Sequence, residues 1–457
     1  VAGDGRQAER GVAGARGLVT KPWTNWASNV RATPHLRVPA TVSPLPERFR
    51  VAGVGGSFSA LVATDDVLLD GRALIGEPVL DAQRGEVHTP AGLTIGELGT
   101  WLAERGWSLP RVGTSAYPTV AGAVATGSHG TGVGLGSLSD AASIRGMTVV
   151  RPDGVRVTLD ADQPDHADDL AALRVHLGAF GVVTDLRLAV TRGAVVDVET
   201  VDAPLSDVLD PGVRASADQV EAWWLPGSEA VILTRRRFCE AGSAGPAGAA
   251  PRVDVHDGSA LARHRLWAED VPLTLVTALA RVSPHLAQFL LARFGRGPRR
   301  PRHTVGRWDH LSVGPRHYRA VTTEVAVPVE AAAEAIAALA DLARRTGIFL
   351  PINLRWTKAD SGAWLSPASG RDVFWLDVAW NLGVPGGFAA LREAERRLVG
   401  LGGRPHWGKL GFQNPRALFP DFDRWDAVRR RYDPDGCLLN GHLRRVLEGG
   451  EVSPLPS

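Results

Sequence analysis

The sequence predicts an α+β protein with more than one domain, on three observations. The chain has 457 residues, a length that suits two or three domains, or two domains sharing one large core. Up to about residue 192, short strands alternate with glycine turns and brief helices. From near Thr191 a second block alternates strands with long amphipathic helices, and no repeat of solenoid length interrupts either block.

Residues 1–35 read as irregular, with Trp23 and Trp26 as anchors. FRVAGVGGSFSALVAT (49–64) reads as a strand, a glycine turn, then a loop or helix start. VLLDG (67–71) and EVHTPAG (86–92) read as strands, and TIGELGTWLAERGW (94–107) as a helix stopped at Gly106. TVAGAVATGSHGTGVGLGS (119–137) is small almost throughout, which lets a backbone approach something flat or charged. MTVVRPDGVRVTL (147–159) is a hairpin turned at Asp153 and Gly154, and DDLAALRVHLGAFGVVTDLRLAV (168–190) is a helix passing through Gly178 and Gly181 into a strand.

In the second block AVILTRRR (230–237), INLRW (352–356), FWLDVAW (374–380) and RPHWGKLGF (404–412) read as strands. EAAAEAIAALADLARR (330–345) reads as a helix, and DPDGCLLNGHLRRVL (433–447) closes the chain. Two spacers intervene, AGSAGPAGAAP (241–251) and the basic RFGRGPRRPRH (293–303). The basic run reads as a solvated loop, with a phosphate or an acidic partner as the alternative.

Composition narrows the function classes. Hydrophobic residues make up 44% and the net charge is +2, so neither a nucleic-acid footprint nor an acidic tail is indicated. Cys239 and Cys437 stand alone, without CxxC or Cys/His ligand spacing, so no disulfide scaffold or metal site is expected. No run of 18 apolar residues suggests a membrane span, and no apolar leader is evident at the N-terminus. A cytoplasmic protein without a membrane partner is the expectation. Of the 51 basic residues only Lys21, Lys358 and Lys409 are lysines, so 51 − 3 = 48 are arginines. A lysine retained in an apolar stretch, as Lys409 is, invites a chemical reason.

Two glycine-rich segments carry the first chemical signal. Backbone N–H groups in GVGGSFS (53–59) can cradle a pyrophosphate, although a tight turn explains the glycines equally. Phe58 stands where the nicotinamide fingerprint needs a third glycine, so this is not a standard NAD site. A second such segment, TVAGAVATGSHGTG, begins about 65 residues later, and the two favour a dinucleotide lying between them.

Taken in order, GVGGSFSALVATDD, VGTSAYPTVAGAVATGSHGTG, LGAFGVVTDL, RPHWGK and YDPDGCLLNGHL resemble the sugar-lactone and alditol oxidases of the vanillyl-alcohol-oxidase superfamily. The resemblance runs from about Asn25 to the C-terminus and is loosest in the middle. It implies a two-domain PCMH-type FAD-binding fold with an α/β cap. The FAD domain would span residues 1–192 and be completed by 403–457, with the cap at 193–402. By match, the cofactor contacts are Gly53, Val54, Gly55, Gly56, Ser57, Gly113, Thr114, Gly122, Thr126, Gly127, His129, Gly130, Gly181, Val182, His406, Lys409 and Asn440. PATVSPLPERFR (39–50) looks shorter than the helix usual before the first glycine loop.

Departures from the family pattern sharpen the expectation. Relatives carry a histidine after the second glycine of the first loop and attach FAD through it; here the position is Gly56, so FAD is expected to be held non-covalently and to be a weaker oxidant. Gly113 corresponds to a gate near the flavin where a small residue suits O2, favouring an oxidase, although it could simply make a turn. Relatives have Glu-x-Arg where Asn353 and Arg355 stand, and polar residues where Asp377 and Ala379 stand. The resemblance therefore implies Lys409, Thr114 and Asn353 on substrate oxygens, Arg355 steadying reduced flavin, and Asp377 or a water as proton acceptor. Asp377 reads equally as the partner of an arginine or as a carboxylate for substrate.

The implied activity is removal of hydride from a hydroxyl-bearing carbon of a sugar, polyol, amino-sugar or aminocyclitol of secondary metabolism, with O2 reduced to H2O2. The alternatives are a dehydrogenase of the same fold, a flavin tailoring enzyme of a larger natural product, and a non-catalytic binding protein.

Overall fold

A computed structural model describes residues 19–38, 44–239, 252–255, 271–294, 302–312 and 320–449. The spacer at 241–251 and residues 295–301 of the basic run lie outside the described residues.

Apolar residues in the N-terminal half build two larger sheets, beside two short two-stranded ones. Four strands run in the order Val19–Thr20, His35–Arg37, Val67–Asp70 and Phe49–Ala52. Five more run Arg156–Asp160, Ile144–Val150, Val182–Ala189, Glu86–Pro90 and Val79–Asp81. The expected hairpin is present: Ile144–Val150 pairs antiparallel with Arg156–Asp160, and Gly154 supplies the left-handed φ of 84° at its turn. The expected helix forms at Ile95–Ala103, with Thr94 and Glu97 exchanging the two hydrogen bonds of a capping box. Ile95, Leu98 and Leu102 face inward on it. The small-residue segment forms a helix of its own, Val120–Ala125, capped by Thr119.

The second block folds into one nine-stranded sheet in the order Arg252–Val255, Arg302–Arg307, Val195–Pro204, Ala230–Cys239, Gln219–Trp224, Ile352–Thr357, Val373–Trp380, Val321–Pro328 and Arg404–Pro405. Residues two apart on a strand share a face, and this sheet sorts its residues accordingly. Ile352, Leu354, Phe374, Leu376, Val378, Val325 and Val327 are buried in one core cluster with Ile336 and Leu339 of helix Ala332–Thr346 and Leu391 and Leu398 of helix Gly387–Gly400. The opposite face carries Glu221, Asn353, Arg355, Asp377 and Glu324.

RPHWGKLGF departs from its expected single strand. Only Arg404–Pro405 is strand. His406 N–H still donates to the Glu324 carbonyl at 2.8 Å, the chain then turns so that Lys409 N–H meets the His406 carbonyl at 3.1 Å, and pairing resumes from Leu410 to Thr322 at 2.9 Å. Trp407 draws the turn inward, stacking on Phe419 and donating to the Leu365 carbonyl.

The C-terminal segment returns to the first block. Trp425 of helix Phe422–Tyr432 donates to the carbonyls of Ala172 and Val175, and Leu438 packs with Phe49, Leu69 and Val182. Arg50, 1% exposed, ties three segments together by donating to the carbonyls of Gly178 at 2.7 Å, Leu438 at 2.6 Å and Leu177 at 2.8 Å. Leu177 holds a positive φ of 51° at this point, a strained conformation for a branched side chain. Among the described residues no helix is long and apolar enough to cross a membrane.

Arg50→Met would leave these carbonyls buried without donors. The expected loss of unfolding free energy is about 3 kcal/mol or more, read as a lowered melting temperature with earlier proteolysis of the C-terminal helices.

Candidate active site

Strand register assembles the polar face. Asn353, Asp377 and Glu324 lie directly opposite one another across three strands, and Glu221, Arg355 and Trp375 form the neighbouring row. Glu324, 1% exposed, is the hub. Its carboxylate lies 2.5 Å from Arg355 Nη2, 3.4 Å from Lys409 Nζ and 3.2 Å from His129 Nε2. Lys409 Nζ also donates to Asp377 Oδ2 at 3.1 Å. Lys409, Arg355, Asp377 and Asn353 are thus brought together as expected.

The charges support one another. Burial alone would raise the Glu324 carboxyl, but Arg355 and Lys409 hold it well below the usual carboxylate range. Burial alone would lower Lys409, but Asp377 and Glu324 raise it, so the ammonium stays charged. Arg355 is likewise held charged against burial, first by Glu324. Burial pushes the His406 ring down to about 3 and lowers that of His129, so both are neutral at physiological pH.

The two histidines differ in their partners. His129 Nδ1 lies 2.9 Å from the Gly130 carbonyl and Nε2 lies 3.2 Å from a Glu324 oxygen, so both ring nitrogens face acceptors and a neutral ring donates to one of them. Its ring stacks on Trp375, centroids 3.5 Å apart. His406 Nδ1 accepts the Gly408 N–H at 3.0 Å. His129, Glu324 and His406 place possible metal-ligating atoms within 4.8 Å of one another. Arg355 and Lys409 already supply the countercharge, and a divalent ion would sit among these cations.

Opposite the sheet, Thr114 lines a cleft with Val112, Gly130, Glu221, Arg236 and Arg355. Arg236 pairs with Glu221 at 2.6 Å on its floor. Two polar atoms of the site, Asp377 Oδ1 and Arg355 Nε, are buried without hydrogen-bond partners, as expected where a ligand supplies them.

The first glycine loop docks on the Lys409 turn. Phe58 N–H and the Ser57 hydroxyl both donate to the Gly408 carbonyl, at 2.9 and 3.2 Å, and Lys409 Nζ lies 5.5 Å from the centroid of the Phe58 ring. A Cβ at Gly53 would come within 2.3 Å of the Thr119 hydroxyl, so this loop presses against the cap of helix Val120–Ala125. Gly55 adopts φ +66° beside Trp23. Gly56 differs: a Cβ there meets only Val54 at 3.7 Å, so nothing in the packing demands glycine. Val54, 37% exposed, and Tyr117, 37% exposed, leave apolar surface around the loop for a planar ligand to cover. Gly122 and Thr126 lie in or beside this helix, with Thr126 donating to the Gly122 carbonyl at 3.3 Å, and Gly127 follows at φ +68°.

Other expected contacts have structural tasks. Gly130 has no room for a side chain because the Val112 carbonyl would lie 2.6 Å from its Cβ, and at Gly113 the His129 carbonyl would lie 3.1 Å away. Gly113 therefore has a packing reason of its own. Gly181 sits against the Val150 carbonyl at φ +147°, and Val182 is buried in the Leu438 cluster. The Asn440 side chain is engaged within the protein. Its amide donates to the carbonyls of Ala60, Leu61 and Ala63 and accepts the Leu443 N–H, so the side chain is a tie between segments.

Glu324, Glu221 and Arg236 were not singled out from sequence. The signal for Glu324 was available: it is the lone acid in VTTEVAVP, as Asp377 is in FWLDVAW.

Known proteins agree with this geometry. The profile of the D-arabinono-1,4-lactone oxidase family matches residues 190–446, and that of the FAD binding domain matches residues 44–160. The chain belongs to the D-arabinono-1,4-lactone oxidase family. It is 30% identical to the L-gulono-1,4-lactone dehydrogenase of Mycobacterium tuberculosis, across 93% of this chain and 99% of the relative. It is 28% identical to the alditol oxidase of a Streptomyces species, across 93% and 99%, and 24% identical to the L-gulonolactone oxidase of Mus musculus, across 92% and 97%. The cholesterol oxidase of Brevibacterium sterolicum superposes with a TM-score of 0.75 at 16% identity, over 94% of this chain and 97% of that one, a likeness of fold alone. This family member is an FAD-dependent oxidoreductase acting on CH–OH groups, with the PCMH-type FAD-binding fold. The open loop at Val54 and Gly56, and the buried polar atoms without partners, are consistent with FAD and a polar substrate meeting at the sheet.

Removing one partner from a buried ion pair strands the other charge. Glu324→Gln is expected to lower stability by about 3–5 kcal/mol. The double variant Glu324→Gln/Arg355→Met should lose less than the sum of its singles, measured by denaturant unfolding.

Proposed function

We propose that this enzyme oxidises a neutral sugar, sugar lactone or polyol at a hydroxyl-bearing carbon, using non-covalently held FAD and passing electrons to O2. The observation that carries the substrate class is charge balance. Lys409 and Arg355 are matched by Glu324 and Asp377, and Arg236 by Glu221, so these six residues carry no net charge. A neutral ligand rich in hydroxyl groups suits such a surface, because each hydroxyl can both donate and accept.

FAD, when bound, supplies the hydride acceptor and returns electrons to O2 as hydrogen peroxide. The chain's residues bind, orient and move a proton. Lys409 Nζ, held by Asp377 and Glu324, donates to the oxygen of the reacting hydroxyl. Asp377 Oδ1, buried without a partner, accepts that hydroxyl's proton. Asn353, one rung away, positions a neighbouring hydroxyl, and Thr114, in the cleft beside Arg355, offers a hydroxyl farther along the face. Arg355, fixed by Glu324, provides a positive field that favours negative charge developing on the reduced cofactor. Residues 1–192 and 403–457 hold the cofactor in this reading, and 193–402 hold the substrate.

Gly56 supports non-covalent attachment, because the position relatives use carries no nucleophile although a side chain would fit. Gly113 supports O2 as acceptor. The named relatives include both a dehydrogenase and oxidases, so the acceptor is decided by reoxidation. Reduced enzyme mixed with air should reoxidise rapidly and release peroxide; slow reoxidation would assign another acceptor.

The buried Oδ1 of Asp377 also favours a second reading, an amino-sugar or aminocyclitol whose ammonium the carboxylate receives. Lys409 competes for that carboxylate, which makes this the second choice. Asp377→Asn should abolish turnover of polyols and lactones if Asp377 is the proton acceptor. Retained polyol turnover with selective loss of amino-sugars would favour the second reading.

Acid precipitation of the purified protein should release its flavin into the supernatant. Lys409→Ala should retain that flavin and lose about a hundredfold or more in kcat/KM. Near-normal turnover by this variant would refute the assignment.

A further inference from the structure

Behind the polar row, a buried carboxylate holds the segment that carries Lys409. Glu395, on helix Gly387–Gly400, is 0% exposed. Its Oε1 accepts the N–H groups of Phe412 and Gln413 at 2.7 and 2.8 Å, and its Oε2 lies 3.1 Å from the Thr323 hydroxyl. The same hydroxyl lies 3.0 Å from the Leu410 carbonyl. Thr323 directly precedes Glu324, and Leu410 directly follows Lys409.

Hydrogen bookkeeping makes this arrangement depend on a proton. Thr323 has one hydroxyl hydrogen to donate, and a carbonyl and a carboxylate both face it. Both contacts are hydrogen bonds at once only when Glu395 is protonated: Glu395 Oε2–H donates to Thr323 Oγ1, and Thr323 donates to the Leu410 carbonyl. With Glu395 ionised, its carboxylate takes the Thr323 hydrogen and the Leu410 carbonyl loses that donor.

We propose that Glu395 is a positioning residue whose proton, relayed through Thr323 to the Leu410 carbonyl, sets Lys409 against Glu324 and Asp377. The site is fully assembled in the protonated form and loosened in the ionised one. The inference rests on the reading of Lys409 as the group that meets substrate.

Burial pushes the Glu395 carboxyl up to about 7, against the smaller lowering by Phe412, Gln413, Thr323 and Arg392. Arg392, on the same helix, is the charged group that acts on it. On strand Val321–Pro328 the neighbouring charge, Glu324, points to the opposite face, as does Lys409 from the 408–413 segment. Helix Ala332–Thr346 buries Leu339, Leu342 and Ala343, with its Asp341 paired to Arg345 and Arg397. Glu393 pairs with Arg396 and Arg397. A raised carboxyl binds its proton more tightly in the folded chain. The stabilisation is fully present below the ordinary value of 4.5 and is lost as pH rises through about 7.

The scarcity of lysine makes the test direct. Lysine labelled with 13C at Cε in the flavin-loaded full chain gives three signals, of which Lys21 and Lys358 are exposed. The Lys409 signal should move with a midpoint near about 7 and stay still in Glu395→Gln. That amide donates to Thr323 and accepts both N–H groups, mimicking the protonated acid. Turnover of a sugar, lactone or polyol should fall several-fold as pH rises through the same range in the unsubstituted chain, and the Gln variant should lack this fall. If Glu395→Gln does not fold, Thr323→Val should give the same still signal while Thr323→Ser titrates. A Lys409 signal that moves identically in the unsubstituted and substituted chains overturns the proposal, as does an unchanged pH profile in an active variant. A coupled Lys409 signal without any turnover of these substrates supports the relay and overturns the substrate reading.

Discussion

The site depends on a single buried carboxylate. Glu324 stands against Arg355 at 2.5 Å and Lys409 at 3.4 Å, all on a face that excludes most water. An ammonium in such surroundings would shed its proton without a countercharge. Two carboxylates next to each other across one rung would repel without the cations between them. Neither half of the arrangement is stable alone, so the strand register that places Glu324 opposite Asp377 is a condition for the chemistry. The register is in turn fixed by the apolar face behind it, because a slip of one residue would turn Leu354, Leu376 and Val325 toward the cofactor.

Local elements were the part most legible in the sequence. The capping residues at Thr94 and Glu97, the turn at Asp153 and Gly154, and the apolar spacing of helix Ala332–Thr346 are short-range signals, and each produced the expected element. Lys409 was legible for a different reason, since lysine is rare here and this one lies in an apolar stretch. Glu324 was marked only as the lone acid of an apolar strand; its place in the site was not legible, because its cationic partners lie 31 and 85 positions away (355 − 324 and 409 − 324), and only strand pairing brings them together. The break in RPHWGKLGF was hidden for a similar reason. It depends on Trp407 finding Phe419 and the Leu365 carbonyl, contacts that the local pattern does not contain. At Asn440 the motif match records identity at a position, and not the partners that its side chain takes within the protein.

The departures from the family pattern form a connected change. The family resemblance implies a carboxylate at the position of Asn353, and here an acid stands at Asp377, its direct partner across the ladder. On that reading the charge stands one strand along on the same face. At 377 it lies 3.1 Å from Lys409, so the lysine is shared between two carboxylates. In the proposed mechanism this shifts acid–base work toward the Lys409–Asp377 pair, while Asn353 retains the capacity to orient a hydroxyl without charge.

Two features bear on the same redox quantity. In the proposed reading Gly56 leaves the cofactor without a covalent anchor, and Glu324, 2.5 Å from Arg355, tempers the positive field that Arg355 offers the reduced cofactor. Both should make the bound cofactor a weaker oxidant than a covalently attached one facing an uncompensated arginine. A weaker hydride acceptor requires a better-prepared donor, and here that preparation falls to the geometry of Lys409 and Asp377 around the reacting hydroxyl. The positions behind Lys409, including Thr323 and Glu395, then matter as much as the groups that face substrate. In the proposed mechanism a small displacement of Lys409 would therefore cost turnover directly.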